Sequence, residues 1–274
     1  MLDQRARVAA SGSFRERVQF DLVERPHHAF GLLAAADVAS FVEVSEIVAI
    51  EFGVAEGAGL LNLAEIAAAV TLETGVGIRL VGFDSAQGLP APVDFRDHPE
   101  IWAEGDFATP DLAALQAALP ADVELVLGSV ATTLPAFIES LGASPIGFVS
   151  FDLDLYSSTK DALALLDIEC LRLLPVVVLY FDDVIGGIGR IGSLFRSEAA
   201  GQLLAIKEFN ARQRLRFVDV IRVLRHRRPL DREPWIDRMY ALHVLDHPLR
   251  SGGRGRAAMS MMEHGRAAGF EWPL

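Results

Sequence analysis

The chain is poor in cysteine, lysine and the larger aromatics. Among 274 residues it has one cysteine, two lysines (Lys160 and Lys207), three tryptophans and three tyrosines. A lone cysteine excludes an internal disulfide, and the setting of Cys170 in LLDIECLRLL points to a buried thiol. No apolar run reaches the ~18 uninterrupted residues that a membrane span needs. The first stretch, MLDQRARVAASGSFRERVQFDL, is charged and lacks the apolar core of a signal peptide. The expectation is therefore a cytoplasmic protein with no membrane partner. Positive charge is also in deficit. A net charge of −12 speaks against nucleic acid, whose phosphates need clustered cations. What the chain does have is apolar residues, 51 % of the total, enough to bury one sizeable core.

The apolar residues fall into an alternating pattern. Residues 14–46 have helical spacing, with Pro26 as a break. EIVAIEFGV (46–54) follows as a strand apolar on both faces, and GLLNLAEIAAAVTLETG (59–75) as a helix closed by Gly75. Strands are then expected at 78–84, 123–128, 146–154 and 175–183. Helices are expected at 109–119, 133–142 and 158–174, the last capped by Ser157 or Ser158. Such alternation means βαβ units and a parallel sheet. The final third differs: a helix at 203–213 precedes two successive strands, 214–226 and 235–247, which predict an antiparallel hairpin at the sheet edge. The fold class is α/β, a Rossmann-like, seven-stranded, mostly parallel sheet with helices on both faces. The domain reading is an N-terminal helical extension over 1–46, acting as a lid or dimer contact, a core over 47–249 and a tail over 250–274. The tail opens Gly- and Arg-rich, which predicts a mobile start. The extension and the tail suit a homodimer contact.

Three glycines crowd the turn after the first strand, in Glu51-x-Gly53-x-x-x-Gly57-x-Gly59. A parallel sheet binds ligands beyond the C-terminal ends of its strands, so this turn is a candidate site. The spacing departs from the G-x-G-x-x-G of dinucleotide folds. It resembles motif I of the class I S-adenosylmethionine-dependent methyltransferases. That resemblance implies that the loop cradles the methionine part of S-adenosyl-L-methionine, with Glu51 near its ammonium group. It also implies that Asp84, ending the second strand, accepts hydrogen bonds from both ribose hydroxyls. The two oxygens of a carboxylate suit a vicinal diol. Gly128 and Ser129, after the third strand, fall beside the adenine in the same pattern.

Asp152 and Asp154 end one apolar strand, and Asp182 and Asp183 end the next. Carboxylates gathered there repel one another unless a cation intervenes, and a hard divalent ion such as Mg²⁺ suits oxygen ligands. Helix capping or pairing with arginines is the alternative. VAIEFGVAEGAGL, GFDSAQGLP, GSVATTLP, FDLDLYSST and YFDDV occur in the order found in the macrocin O-methyltransferase family. This resemblance runs from Val48 to Val184. The family includes Mg²⁺-dependent sugar O-methyltransferases of natural product biosynthesis. The resemblance implies metal ligation by Asp152, Asp182 and Asp183, with Asp152 also at the catalytic and cofactor centre. The cation would lower the pKa of an acceptor hydroxyl for attack on the sulfonium methyl. Catechol-type relatives place a lysine base where this chain has Leu155. His98, in DFRDHPEIWAEGDF, is the expected base, with the pair His27–His28 of the N-terminal helical region as the alternative. The segment Pro90–Phe107 is an expected lid. A metal-independent methyltransferase and a non-catalytic cofactor-binding protein are the alternatives, and the small-molecule acceptor is open.

Overall fold

The computed structural model describes residues 2–185, 195–230 and 232–251. The strands are β1 (Glu46–Phe52), β2 (Gly77–Asp84), β3 (Glu124–Leu127), β4 (Ile146–Phe151), β5 (Leu173–Phe181), β6 (Arg216–Val220) and β7 (Met239–Val244). They form one seven-stranded sheet in the order β3-β2-β1-β4-β5-β7-β6. β1 to β5 are mutually parallel. β7 runs antiparallel to both β5 and β6. The principal helices are α1 (Leu2–Ser11), α2 (Phe14–Gln19), α3 (Pro26–Phe41), α4 (Ala58–Thr74), α5 (Leu112–Ala118), α6 (Val130–Ser140), α7 (Tyr156–Ala162) and α8 (Gly201–Arg212). The Rossmann-like sheet with its antiparallel C-terminal strands is the expected one. Among the described residues no helix is long and apolar enough to cross a membrane.

Local chemistry sets most element ends. Pro26 starts α3 rather than breaking a longer helix, because a proline at the first helical position gives up no hydrogen bond. α3 lies on the sheet, with Ala29, Leu32, Ala35, Ala36 and Ala39 fully buried, so the segment set apart at 1–46 contributes to the core itself. Gly75 ends α4 at φ +76°, as expected.

Four expectations fail. The helix expected at 158–174 stops at Ala162 and continues as 3₁₀ turns over Leu163–Asp167 and Cys170–Arg172. Leu163, Leu165, Leu166 and Ile168 are all buried there, more than one α-helical face can bury. β5 then begins at Leu173 and tolerates Pro175, because the β4–β5 register shifts between Ile146 and Phe148 and leaves an irregular pairing at that point. Cys170, in this turn, is only half-buried. No serine caps α7. Its N-cap is Leu155, and the Ser157 N–H donates to Asp97 of a distant loop. The strands expected at 214–226 and 235–247 are shorter, since their outer ends coil into helical turns at Leu224–Arg227 and Pro234–Arg238. The tail 252–274 lies outside the described residues.

Candidate active site

Each of the four strands β2, β1, β4 and β5 carries a phenylalanine at its C-terminal end. Register sets Phe83, Phe52, Phe151 and Phe181 side by side. Their rings stand 4.9, 5.5 and 4.6 Å apart in that order, and all are fully buried. The residue after each phenylalanine is Asp84, Gly53, Asp152 or Asp182. A buried aromatic row thus aligns four candidate functional positions along one edge of the sheet.

A cleft of about 650 Å³ opens above that edge. Gly53, Asp84, Gly128, Ser129 and Asp152 of the expected cofactor site line it, as do Asp182 and Asp183 of the expected metal site. Glu51, Gly57, Gly59 and His98 are absent from its wall.

The glycines face protein. Gly53 has φ +85°, and a Cβ there would stand 1.7 Å from the carbonyl oxygen of Asp152. It lets the tips of β1 and β4 close on each other. Gly57 is the N-cap of α4 at φ +90°, and a Cβ would meet Leu115 of α5 at 2.1 Å. The neighbour at Gly59 is Glu51 Oε1. Glu51 is 2 % exposed, and Oε1 lies 3.7 Å from His28 Nε2 on α3. Burial pushes the Glu51 carboxyl up to about 8 and holds the His28 imidazole well below its ordinary value, so both are neutral near pH 7.

Asp84 does more than end a strand. Its Oδ2 accepts from the N–H groups of Val54 and Ala55, both at 2.8 Å, and its Oδ1 from Ala86 at 2.6 Å. Three of about four carboxylate acceptor sites are thereby engaged in holding two loops. Ser129 is the N-cap of α6 without a side-chain cap bond.

The acidic side is built differently. Asp152 is open to the cleft but enclosed by protein elsewhere. Asp152, Asp182 and Asp183 each offer an oxygen within 4.8 Å of the others. Beside them, Asp154 at φ +57° donates its N–H to Asp183 Oδ2 at 3.0 Å. Burial, then Asp182, Asp183 and Asp154, pushes the Asp152 carboxyl far above its ordinary range. Burial and Asp183 push Asp154 up to about 9, and burial and Asp182 raise Asp183. Two arginines approach. Arg238 Nη1 is 2.5 Å from Asp182 Oδ1, which also accepts from the Tyr180 hydroxyl, and Arg196 Nη2 is 3.3 Å from Asp183 Oδ1. With all four carboxyls ionised, as cation ligation would favour, they and the two guanidiniums carry a formal charge of −2 (−4 + 2), which one divalent cation would neutralise. An all-carboxylate donor set fits a hard ion.

Pro90, Trp102 and Phe107 bring the expected lid segment to the cleft wall. Within that segment His98 is 3 % exposed. Its Nδ1 is 2.8 Å from Glu100, its ring packs on Gly201, and Nε2 has no partner among the described residues. The ring is not presented to the cleft, because the left-handed backbone at φ +53° turns it toward the start of α8. Sequence reasoning missed Asp97, Arg196, Gln202 and Arg238. Asp97 docks the lid segment by accepting from Ser157 at 2.7 Å and Val93 at 2.9 Å.

No family model matches the chain, and no curated protein matches it. Solved structures do. The calicheamicin methyltransferase CalS11 aligns at 23 % identity with a TM-score of 0.53, over 80 % of this chain and 80 % of that one. Apo CalS11, a TDP-rhamnose 3'-O-methyltransferase, aligns at 20 % with a TM-score of 0.43 over the same shares. The plantazolicin methyltransferase BpumL, in complex with a monoazolic desmethylPZN analog and SAH, aligns at 9 % with a TM-score of 0.40, over 83 % of this chain and 84 % of that one. The first alignment and the strand order agree on the fold: the chain has the Rossmann-like methyltransferase fold.

Proposed function

We propose that the protein transfers the methyl group of S-adenosylmethionine to a hydroxyl of a small-molecule acceptor, assisted by Mg²⁺ or a similar divalent ion. The observation that carries this reading is one cleft walled by both the Gly53–Asp84–Ser129 side and the carboxylates Asp152, Asp182 and Asp183. A volume of about 650 Å³ suits a ligand of cofactor size. Gly53, Asp84, Gly128 and Ser129 would hold the cofactor, and the three aspartates the ion. Bound there, the cofactor supplies an electrophilic methyl and the ion Lewis acidity toward the acceptor oxygen. Pro90, Trp102 and Phe107 exclude water, and the walls align acceptor with donor. Asp154 stands on the cleft wall beside the ligand set; once a cation beside it favours its ionised form, it would take the acceptor's proton. His98 takes that part only if the lid segment moves to bring Nε2 to the cleft. A sugar or phenolic hydroxyl as acceptor rests on the motif resemblance to the sugar enzymes.

Arg238 and Arg196 already pair with Asp182 and Asp183, and this favours a second reading in which transfer needs no metal. Calorimetry with S-adenosylmethionine tests the shared part: binding is expected, and its absence ends both readings. Transfer of labelled methyl to a panel of sugars and phenols, with and without EDTA, separates them. Loss of transfer in EDTA supports the metal-assisted reading, and unchanged transfer the metal-free one.

A further inference from the structure

We propose that Gln202 is a positioning residue that sets the gap between the cation ligands, and with it the size of ion the site prefers. The inference rests on the metal-assisted reading above. Pairing of β4 with β5 ends at Phe151 and Phe181. Beyond that pair the two chains carry Asp152, Asp182 and Asp183, and no ladder bond joins them. Gln202 fills the gap from α8. It is 1 % exposed; its Oε1 accepts from the Asp183 N–H at 2.8 Å and its Nε2 donates to the Phe151 carbonyl at 3.1 Å. One side-chain amide, with a donor and an acceptor, thus acts as the missing peptide unit between the strand ends. The opposite side of the β4 tip is fixed by the Asp152 N–H, which donates to the Phe52 carbonyl at 2.9 Å. Asp183 is held in turn by the Asp154 N–H. Among the described residues Gln202 is therefore the tie that joins the two backbones across this seam, beside the backbone-to-side-chain bond from Asp154 to Asp183.

The width of that seam matters to the ion. Mg²⁺ binds oxygen at about 2.1 Å, so opposed ligands stand at most about 4.2 Å apart, whereas Ca²⁺ at about 2.4 Å accepts about 4.8 Å. Carboxylates on untied strands repel one another and drift toward the wider spacing. Replacing Gln202 should cost the small ion more than the large one.

Titration of MgCl₂ and CaCl₂ into the wild type, Gln202→Met and Gln202→Glu, followed by calorimetry, tests this. Gln202→Met keeps the bulk and loses both bonds. We expect it to weaken Mg²⁺ binding about tenfold, the usual scale for losing a group that orients a ligand, and Ca²⁺ by less than about threefold. A merely structural role would lower both alike. Gln202→Glu keeps an acceptor for the Asp183 N–H and loses the donor to Phe151. It should also favour Ca²⁺ relative to the wild type, and it decides the matter if the Met variant lacks a cooperative thermal transition. A Mg²⁺-to-Ca²⁺ affinity ratio unchanged in a folded variant overturns the role of Gln202 alone. A wild type that binds neither ion overturns the metal-assisted reading and this inference together.

Discussion

The tips of β1 and β2 and the tips of β4 and β5 meet in one cleft but are held on opposite terms. On the first side Asp84 satisfies three backbone donors, and Gly53 and Gly57 admit parts of the protein itself. Its buried Glu51 is neutral. On the second side like charges are pressed together, with two arginines against four carboxylates. Sterics and backbone bonds complete the one; the other stays incomplete until a proton or a cation arrives. Groups driven this far from their ordinary protonation are where chemistry is expected.

The largest test is aimed at the rigid side. Gly53→Ala forces a Cβ toward the Asp152 carbonyl at a φ that alanine resists. The expected cost is on the order of 3 kcal/mol or more by urea unfolding; a variant as stable as the wild type would erase the contrast. The second test is aimed at the charged side and reads thermal stability against pH. A carboxyl whose folded pKa is raised favours folding at low pH, and that advantage drains away as pH climbs through the folded value. In EDTA, stability should thus decline from about pH 4, near the unfolded carboxyl value, toward about pH 9, the Asp154 value. Glu51 acts in the same direction. Its part is common to both solutions, so the shallower slope expected in excess Mg²⁺ reports the aspartates; equal slopes would mean that no ion relieves them. The smallest effect is expected for Glu51→Gln. A buried, protonated carboxyl resembles an amide, so the change should cost less than about 1.5 kcal/mol at pH 7 and leave cofactor affinity nearly intact. A large loss of affinity would bring Glu51 back to the cofactor's ammonium group.

The alternation of strands and helices was legible because apolar period and glycine punctuation are local. So was the meeting of Asp152, Asp182 and Asp183, since adjacent parallel strands must end together. The direction of a side chain was not. Glu51 and His98 have the right types at the right places in the chain, yet one turns to α3 and the other to α8. The supporting residues were hidden for a different reason. Asp97 reaches Ser157 across 60 residues, and Arg238 reaches Asp182 across 56. No spacing rule spans such distances. The helix expected at 158–174 failed because its exposed positions, Asp161, Ala164 and Asp167, recur every three residues, the period of a 3₁₀ turn and not of an α-helix.

The row Phe83–Phe52–Phe151–Phe181 has a consequence for the chemistry above it. Carbon packing, which ionic strength and acidity scarcely touch, fixes how far the Gly53–Asp84 rim lies from the anionic corner. Acid, chelator or brine can remake the corner itself while the gauge beneath keeps its span. Trimming one ring, as in Phe151→Leu, would therefore shift the two rims against each other under every buffer alike.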